Sequence, residues 1–257
     1  MEMTVGLSLA ALLGGTIERD KKALALIALS LMLIAVALTG SRGGVISMLA
    51  VFAFALIATY AGRPTREPGG PKFGFAHIGA GAALLIAAGS TVIFLAGTDP
   101  LVRGLGMQSA QEDVTSGRLH FWSIALQIFR DNPLLGAGLD AFGMAFPRYD
   151  TWNGLFRVEQ AHNDYLQMLA DGGIAAFACI AVFIFLLFRR GLNVIRRSSS
   201  PGRRTVAVGA LAGCFGVLVH SFFDFPLRTP SNSYFFLLLT AFVTVSLGDE
   251  REEGQGR

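Results

Sequence analysis

"QAHNDYLQMLADGGIAAFACIAVFIFLLF", Gln160–Phe188, joins two kinds of sequence without a linker. From Ile174 to Phe188 it runs fifteen residues without a charge. With the glycines before it, that run is close to the roughly 17–25 apolar residues that cross a bilayer core. Just ahead of it stand His162, Asn163 and Asp164, and Gly172-Gly173 mark the seam. A histidine, an asparagine and an aspartate at the entrance of an apolar helix make the fold a question of membrane sides.

Working outward, apolar blocks recur at 3–17, 23–39, 44–61, 75–97, 173–188, 205–222 and 233–248, with charges between them. The chain is 53% apolar and 15% charged, with a mean hydropathy of +0.54. A soluble domain would carry nearer a quarter charged residues. This predicts an all-α, polytopic integral membrane protein of about seven transmembrane helices, with one large outer loop. The expected organisation is 1–97 for about four helices, 98–172 for the loop domain, 173–248 for three helices and 249–257 for a cytoplasmic tail. Met1 to Ile17 has no basic n-region and reads as a first span rather than a cleaved leader. Cys179 and Cys214 lie inside apolar runs, so neither a disulfide framework nor a metal site is expected. The net charge of +3 comes without a basic stripe or aromatic platform, which gives no sign of nucleic acid.

Lysine and arginine set the orientation. The 18–22, 62–74 and 189–204 loops and the tail fall on one side and hold 14 of the 21 basic residues. That side is cytoplasmic. The 98–172 loop, with nine acids against five arginines, and the turn at Ser41–Gly44 then face outward, into the periplasm of a Gram-negative cell. Within the loop, "SGRLHFWSIALQIFRDNP" predicts an amphipathic helix that begins after a capping serine and stops at Asn132-Pro133. Trp122 would suit the headgroup layer. "HNDYLQMLADGG" predicts a second short helix, with His162 or Asn163 near its cap and Gly172-Gly173 ending it.

The order "SRGG", "SGRLHFW…NPLLGAG", "HNDYLQMLADGG" and "HSFFDFPLRTPS" resembles the C-terminal half of the O-antigen ligase and polymerase superfamily, from about Lys22 to Gly248. Members usually have ten or more spans, so this chain looks like a C-terminal portion or a short relative. At Ala176 the family pattern expects glycine, threonine or tyrosine. The resemblance implies a membrane glycosyltransferase working without metal or other cofactor. Its donor would be an undecaprenyl-pyrophosphate-linked glycan, and its acceptor lipid A core or a growing polysaccharide. Membrane lipids would surround it in the bacterial inner membrane, with the active-site loop periplasmic. No D-x-D, H-E-x-x-H or Walker pattern occurs in the chain. A pyrophosphate donor brings its own leaving group, leaving the protein to supply charge neutralisation, a base and positioning.

Each candidate residue has an ordinary reading beside the functional one. Arg42 at a helix end is a common snorkelling anchor, and Arg118 is a common solvated first-turn residue. With the resemblance, both become candidates for pyrophosphate, because a guanidinium fork binds phosphate oxygens in pairs. His162 ordinarily caps or packs. As a general base it would take the acceptor's proton, a task that suits an imidazole with its ordinary pKa of ~6.5. Asn163 reads first as a cap and second as a sugar contact. His220 and Asp224, at i and i+4, are expected to pair with each other or to line the donor site. His120 would touch headgroups, and His77 lies near the cytoplasmic end of the fourth span. Trp152, Tyr149 and Phe156 are candidates for stacking on sugars or for anchoring at the interface.

Two other readings stand beside this one. A transporter subunit, such as a bicarbonate-transport-like relative, would place ionisable groups or broken helices at mid-membrane. A non-catalytic fragment would keep the fold without the activity. Sidedness is directly testable. Reporter fusions at Thr65 and Arg196 should read as cytoplasmic and one at Gly154 as external, whereas an external Arg196 would invert the arrangement.

Overall fold

A computed structural model describes residues 2–39, 41–61, 117–152 and 157–245. The expected span 75–97, with His77, lies outside them, as do Phe156 and the first part of the outer loop. Among the described residues the chain is helical, with no strand. The helices are α1 (Glu2–Gly14), α2 (Arg19–Leu38), α3 (Arg42–Ala61), α4 (Arg118–Asp131), α5 (Phe142–Ala145), α6 (Asp164–Arg197), α7 (Pro201–His220) and α8 (Pro230–Val245). Short 3₁₀ turns cover Phe146–Arg148 and Pro226–Arg228.

Four helices, α2, α3, α6 and α7, are long and apolar enough to cross a membrane. The chain is therefore a multi-pass membrane protein, with four candidate spans described where seven were expected. Its first expected span, 3–17, is a shorter helix because the Gly14-Gly15 pair ends α1 early. Near the C-terminus, α8 has 16 residues.

Helix α7 is the centre of the bundle. Its Gly209 and Gly213, one turn apart, let α1 approach to backbone contact: a Cβ on Gly6 would stand 2.6 Å from the Gly209 carbonyl oxygen. Small residues at this spacing are how helices pack where lipid removes the hydrophobic drive. On another face of α7, Gly216 receives Val51 of α3. Val5, Val51, Leu211, Val217 and Leu239 are fully buried at the contacts of α1, α3, α7 and α8. By contrast, α2 keeps Leu24, Ile27 and Leu31 largely exposed, as a lipid-facing helix would. Cys214 is buried, whereas Cys179 lies on the exposed side of α6.

The segment between α3 and α6 builds a second core of its own among its described residues. Ile124, Ala125 and Ile128 of α4 pack with Phe142, Phe146, Ala161 and Ala170. The expected amphipathic helix forms and has an apolar face. That face is spent on the protein, and the Trp122 indole Nε1 is buried rather than presented to headgroups. The capping serine is also replaced: Gly117, at φ 79°, takes the N-cap position with no side-chain cap bond.

The seam breaks where its two glycines predict. The short helix that starts at Asp164 ends at Gly172-Gly173: Gly173 is non-helical (φ 63°, ψ −164°), and beyond this kink a second helical stretch, counted with the first as α6, runs on to Arg197. A break in a helix frees backbone groups that must find partners. The loop Pro133–Gly138 supplies them. Ile174 N–H donates to the Pro133 carbonyl (2.9 Å) and Ala175 N–H to that of Leu134 (3.2 Å), while the carbonyls of Ala170 and Asp171 accept from Ala137 (2.8 Å) and Gly138 (2.9 Å). Two glycines make the approach possible. A Cβ on Gly173 would meet the Leu134 carbonyl oxygen at 2.4 Å, and one on Gly136 (φ 68°) the Asp171 carbonyl carbon at 2.3 Å.

Alanine at Gly173 or Gly136 should therefore destabilise the protein by about 2–4 kcal/mol, combining left-handed strain with backbone overlap. Gly202→Ala, whose Cβ would meet only Ser200 Oγ at 4.0 Å, should be near neutral. Thermal unfolding in detergent, compared across the three variants, checks the contrast.

Candidate active site

The site is assembled at the end of the bundle where α6 begins and α7 ends. Asn163 is the N-cap of α6. Its Oδ1 accepts from the N–H groups of Tyr165 (3.1 Å) and Leu166 (3.0 Å), and its Nδ2 donates to the Phe222 carbonyl (3.1 Å). The residue is buried, so its expected capping role is the one that its geometry fills. Further bonds lace the two segments together. Asp164 N–H donates to the Ser221 carbonyl (2.9 Å), Ser221 Oγ donates to Asp164 Oδ2 (2.9 Å), and the Tyr165 hydroxyl donates to the Leu218 carbonyl (2.6 Å).

One residue before the cap, His162 sits in the left-handed region at φ 52°. Few residues other than glycine do so, and strain of this kind gathers at functional sites. The strained backbone turns the ring away from α6 toward the 221–229 segment. There Nδ1 lies 2.9 Å from Asp224 Oδ1, and the rings of Phe225 and Phe121 flank it at 4.9 and 6.2 Å. A carboxylate can only accept, so Nδ1 carries the proton and, in the neutral ring, Nε2 keeps its lone pair. The histidine is about one-third exposed.

Burial alone would raise the pKa of Asp224. Hydrogen bonds from His162 and the Phe225 N–H, with the positive field of His162 and Arg118, outweigh it and hold the carboxyl below its usual range. Arg118, at the first position of α4, is thus near enough for its charge to act on Asp224, and it acts on His220 as well. Arg42 opens α3 at the same end, since its neighbour Gly43 lies against Phe223 and His220.

The expected pairing of His220 with Asp224 is not formed. Asp224 does follow by one turn, its N–H donating to the His220 carbonyl (3.1 Å), but its side chain goes to His162. His220 Nδ1 bonds instead to Glu2 Oε1 of α1 (2.5 Å), which also accepts from Ser47 Oγ of α3 (3.1 Å). His120 is likewise engaged within the protein rather than with headgroups. Its Nε2 lies 2.8 Å from Asp150 Oδ1, and its ring stacks flat on Trp152 at 4.1 Å. Tyr149 donates to Asp131 Oδ2 (2.7 Å).

Sequence reasoning passed over Arg228. Its Nη2 donates to the buried Asp171 Oδ2 (2.7 Å), its Nη1 to Asp140 Oδ1 (2.9 Å), and its Nε faces Asp164 Oδ1 at 3.8 Å. Asp171 Oδ1 accepts from the Phe142 N–H at 2.7 Å. The only available signal was the position of Arg228 in "HSFFDFPLRTPS", a stretch noted for its order in the chain and not for that side chain.

A family model described as O-Antigen ligase matches residues 27–181. The chain belongs to the O-antigen ligase family. No curated protein matches it. The matched segment of this O-antigen ligase family member takes in Arg42, Arg118, His162 and Asn163, but ends before His220, Asp224 and Arg228. The partnership of His162 with Asp224 therefore rests on geometry.

That partnership has a testable pH signature. A carboxyl whose pKa is lowered by folding adds stability above its unfolded value, ~3.9, and loses it as pH falls through the lower folded value. Wild type should exceed Asp224→Asn in stability at neutral pH, and the gap should close only below the usual carboxylate range. Chemical denaturation in detergent across a pH series measures it.

Proposed function

We propose that this protein transfers a glycan from an undecaprenyl-pyrophosphate carrier to a hydroxyl of lipid A core or of a growing polysaccharide. The reaction takes place at the outer leaflet of the bacterial inner membrane, with the 98–172 segment in the periplasm. The observation that carries this reading is the His162–Asp224 pair, set at the bundle end beside Arg118 in a chain of the O-antigen ligase family.

In this reading Asp224 holds the Nδ1–H, and Nε2 takes the proton of the acceptor hydroxyl as its oxygen attacks the anomeric carbon. The bond from that carbon to the pyrophosphate oxygen breaks, and the electron pair leaves with the polyprenyl pyrophosphate. Arg42 and Arg118 supply the charge that the departing pyrophosphate needs. Helices α3, α4 and α6 all begin at this end. Their N-terminal partial charges favour an anion in the same place. Ser41 Oγ, accepting from the Gly44 N–H at 3.0 Å, secures the first of these starts.

His162→Ala in the native chain should lower glycan transfer at least ~10²-fold, the usual scale for a general base, while membrane insertion holds. Arg42→Lys and Arg118→Lys keep charge but lose the fork, and each should reduce transfer severely. Complementation scored on glycan ladders, with expression measured in parallel, reads all three. Transfer within a few-fold of wild type in His162→Ala would leave the histidine a packing residue.

A further inference from the structure

On the other side of Asp164 from His162, between α6 and α8, the protein holds a cavity of about 400 Å³. Phe177, Ile180, Phe183 and Ile184 of α6 wall one side, Phe236 of α8 faces them, and Leu218 of α7 contributes from behind. The four α6 residues fall beyond the Gly173 kink, in a helix long and apolar enough to cross a membrane, where the surrounding solvent would be hydrocarbon. The outer end is of another kind. Arg228, Asp140, Asp164 and Asp171 all line it. Three carboxylates meet one guanidinium there, each facing one of its nitrogens, at 2.9, 2.7 and 3.8 Å for Asp140, Asp171 and Asp164. The end is therefore net negative. Asp140 is 80% exposed and is the carboxylate that an arriving headgroup meets first.

An apolar slot in the bilayer calls for a hydrocarbon chain. A mouth with surplus carboxylate at headgroup depth calls for a cation on the same molecule and opposes a pyrophosphate. We propose that this groove binds one chain of a membrane lipid whose headgroup carries a primary ammonium, with the ammonium at Asp140 and Asp164. The site is separate from the arginine-lined donor region, and its charge has the opposite sign.

Brominated lipid tails quench a tryptophan that they touch. Phe183→Trp and, independently, Ile180→Trp place a reporter in the groove. Quenching in vesicles is compared with that of the chain lacking the reporter, which corrects for Trp122 and Trp152. Tail-brominated phosphatidylethanolamine should quench both reporters with an apparent affinity about five- to tenfold above phosphatidylglycerol brominated at the same positions. Adding Asp140→Asn should cut that preference at least by half. Equal quenching by the two lipids would mean ordinary annular contact and would overturn the proposal. So would a preference for phosphatidylglycerol, displacement of the quencher by a polyprenyl phosphate in preference to phosphatidylethanolamine, or a preference unaltered by Asp140→Asn. Because the readout is binding, it stands or falls apart from glycan transfer.

Discussion

Everything at the functional end depends on the broken backbone at Gly173. A helix that changes direction near a bilayer leaves carbonyls and N–H groups without water to turn to. Here the four groups around the break pair with one loop, Pro133–Gly138. Those bonds tie the segment that holds α4 to the helix bundle. Helix α4, which leads directly into that loop, is thereby held over the start of α6. Its core residues Ile124, Ala125 and Ile128 then pack against Ala170 and Ala161, on either side of His162. Without the kink, the first turns of α6 would continue the line of the span, and His162 would have no reason to face α4.

Given that joint, the position of His162 is over-determined. Asn163 caps α6 and also holds Phe222, Asp164 exchanges two bonds with Ser221, and Tyr165 reaches Leu218. Three successive residues thus tie the helix start to the turn that carries Asp224. Holding a residue at φ 52° costs on the order of 1–3 kcal/mol, and a network of this density is what sustains it. The same network means that Asn163 does more than an ordinary cap. Its loss would release the histidine and the aspartate from a common frame.

The sequence made some of this legible and hid the rest for physical reasons. The cap at Asn163, the helix over Arg118–Asp131 and the long apolar spans follow local rules of periodicity and capping, and they form as those rules predict. Local rules also produced the errors. His220 and Asp224 are one turn apart, as a helical pair would be, but each side chain finds a partner far away in sequence. The apolar face of α4 reads equally well as membrane-facing or core-facing, because periodicity does not say what the face meets. Gly172-Gly173 has the signature of a stop and does break the helix, but the loop nearly forty residues earlier that takes up the freed backbone groups carries no local signal. Arg228 carries no local signal, since its three carboxylates come from two other segments.

Asp164 stands between two regions of opposite character. On one side, burial is outweighed by hydrogen bonds from His162 and the Phe225 N–H together with the charge of Arg118, which hold the Asp224 carboxyl ionised. On the other, the carboxylates of Asp140, Asp164 and Asp171 outnumber the single guanidinium of Arg228. A low-dielectric site next to a membrane screens such differences poorly, so the sign of each region selects what settles there. In the proposed reaction an anionic leaving group must be held on the histidine side and must not be drawn past Asp164 into the apolar groove. The acidic mouth opposes that escape by repulsion, while Arg228 holds the buried Asp171 carboxylate in place.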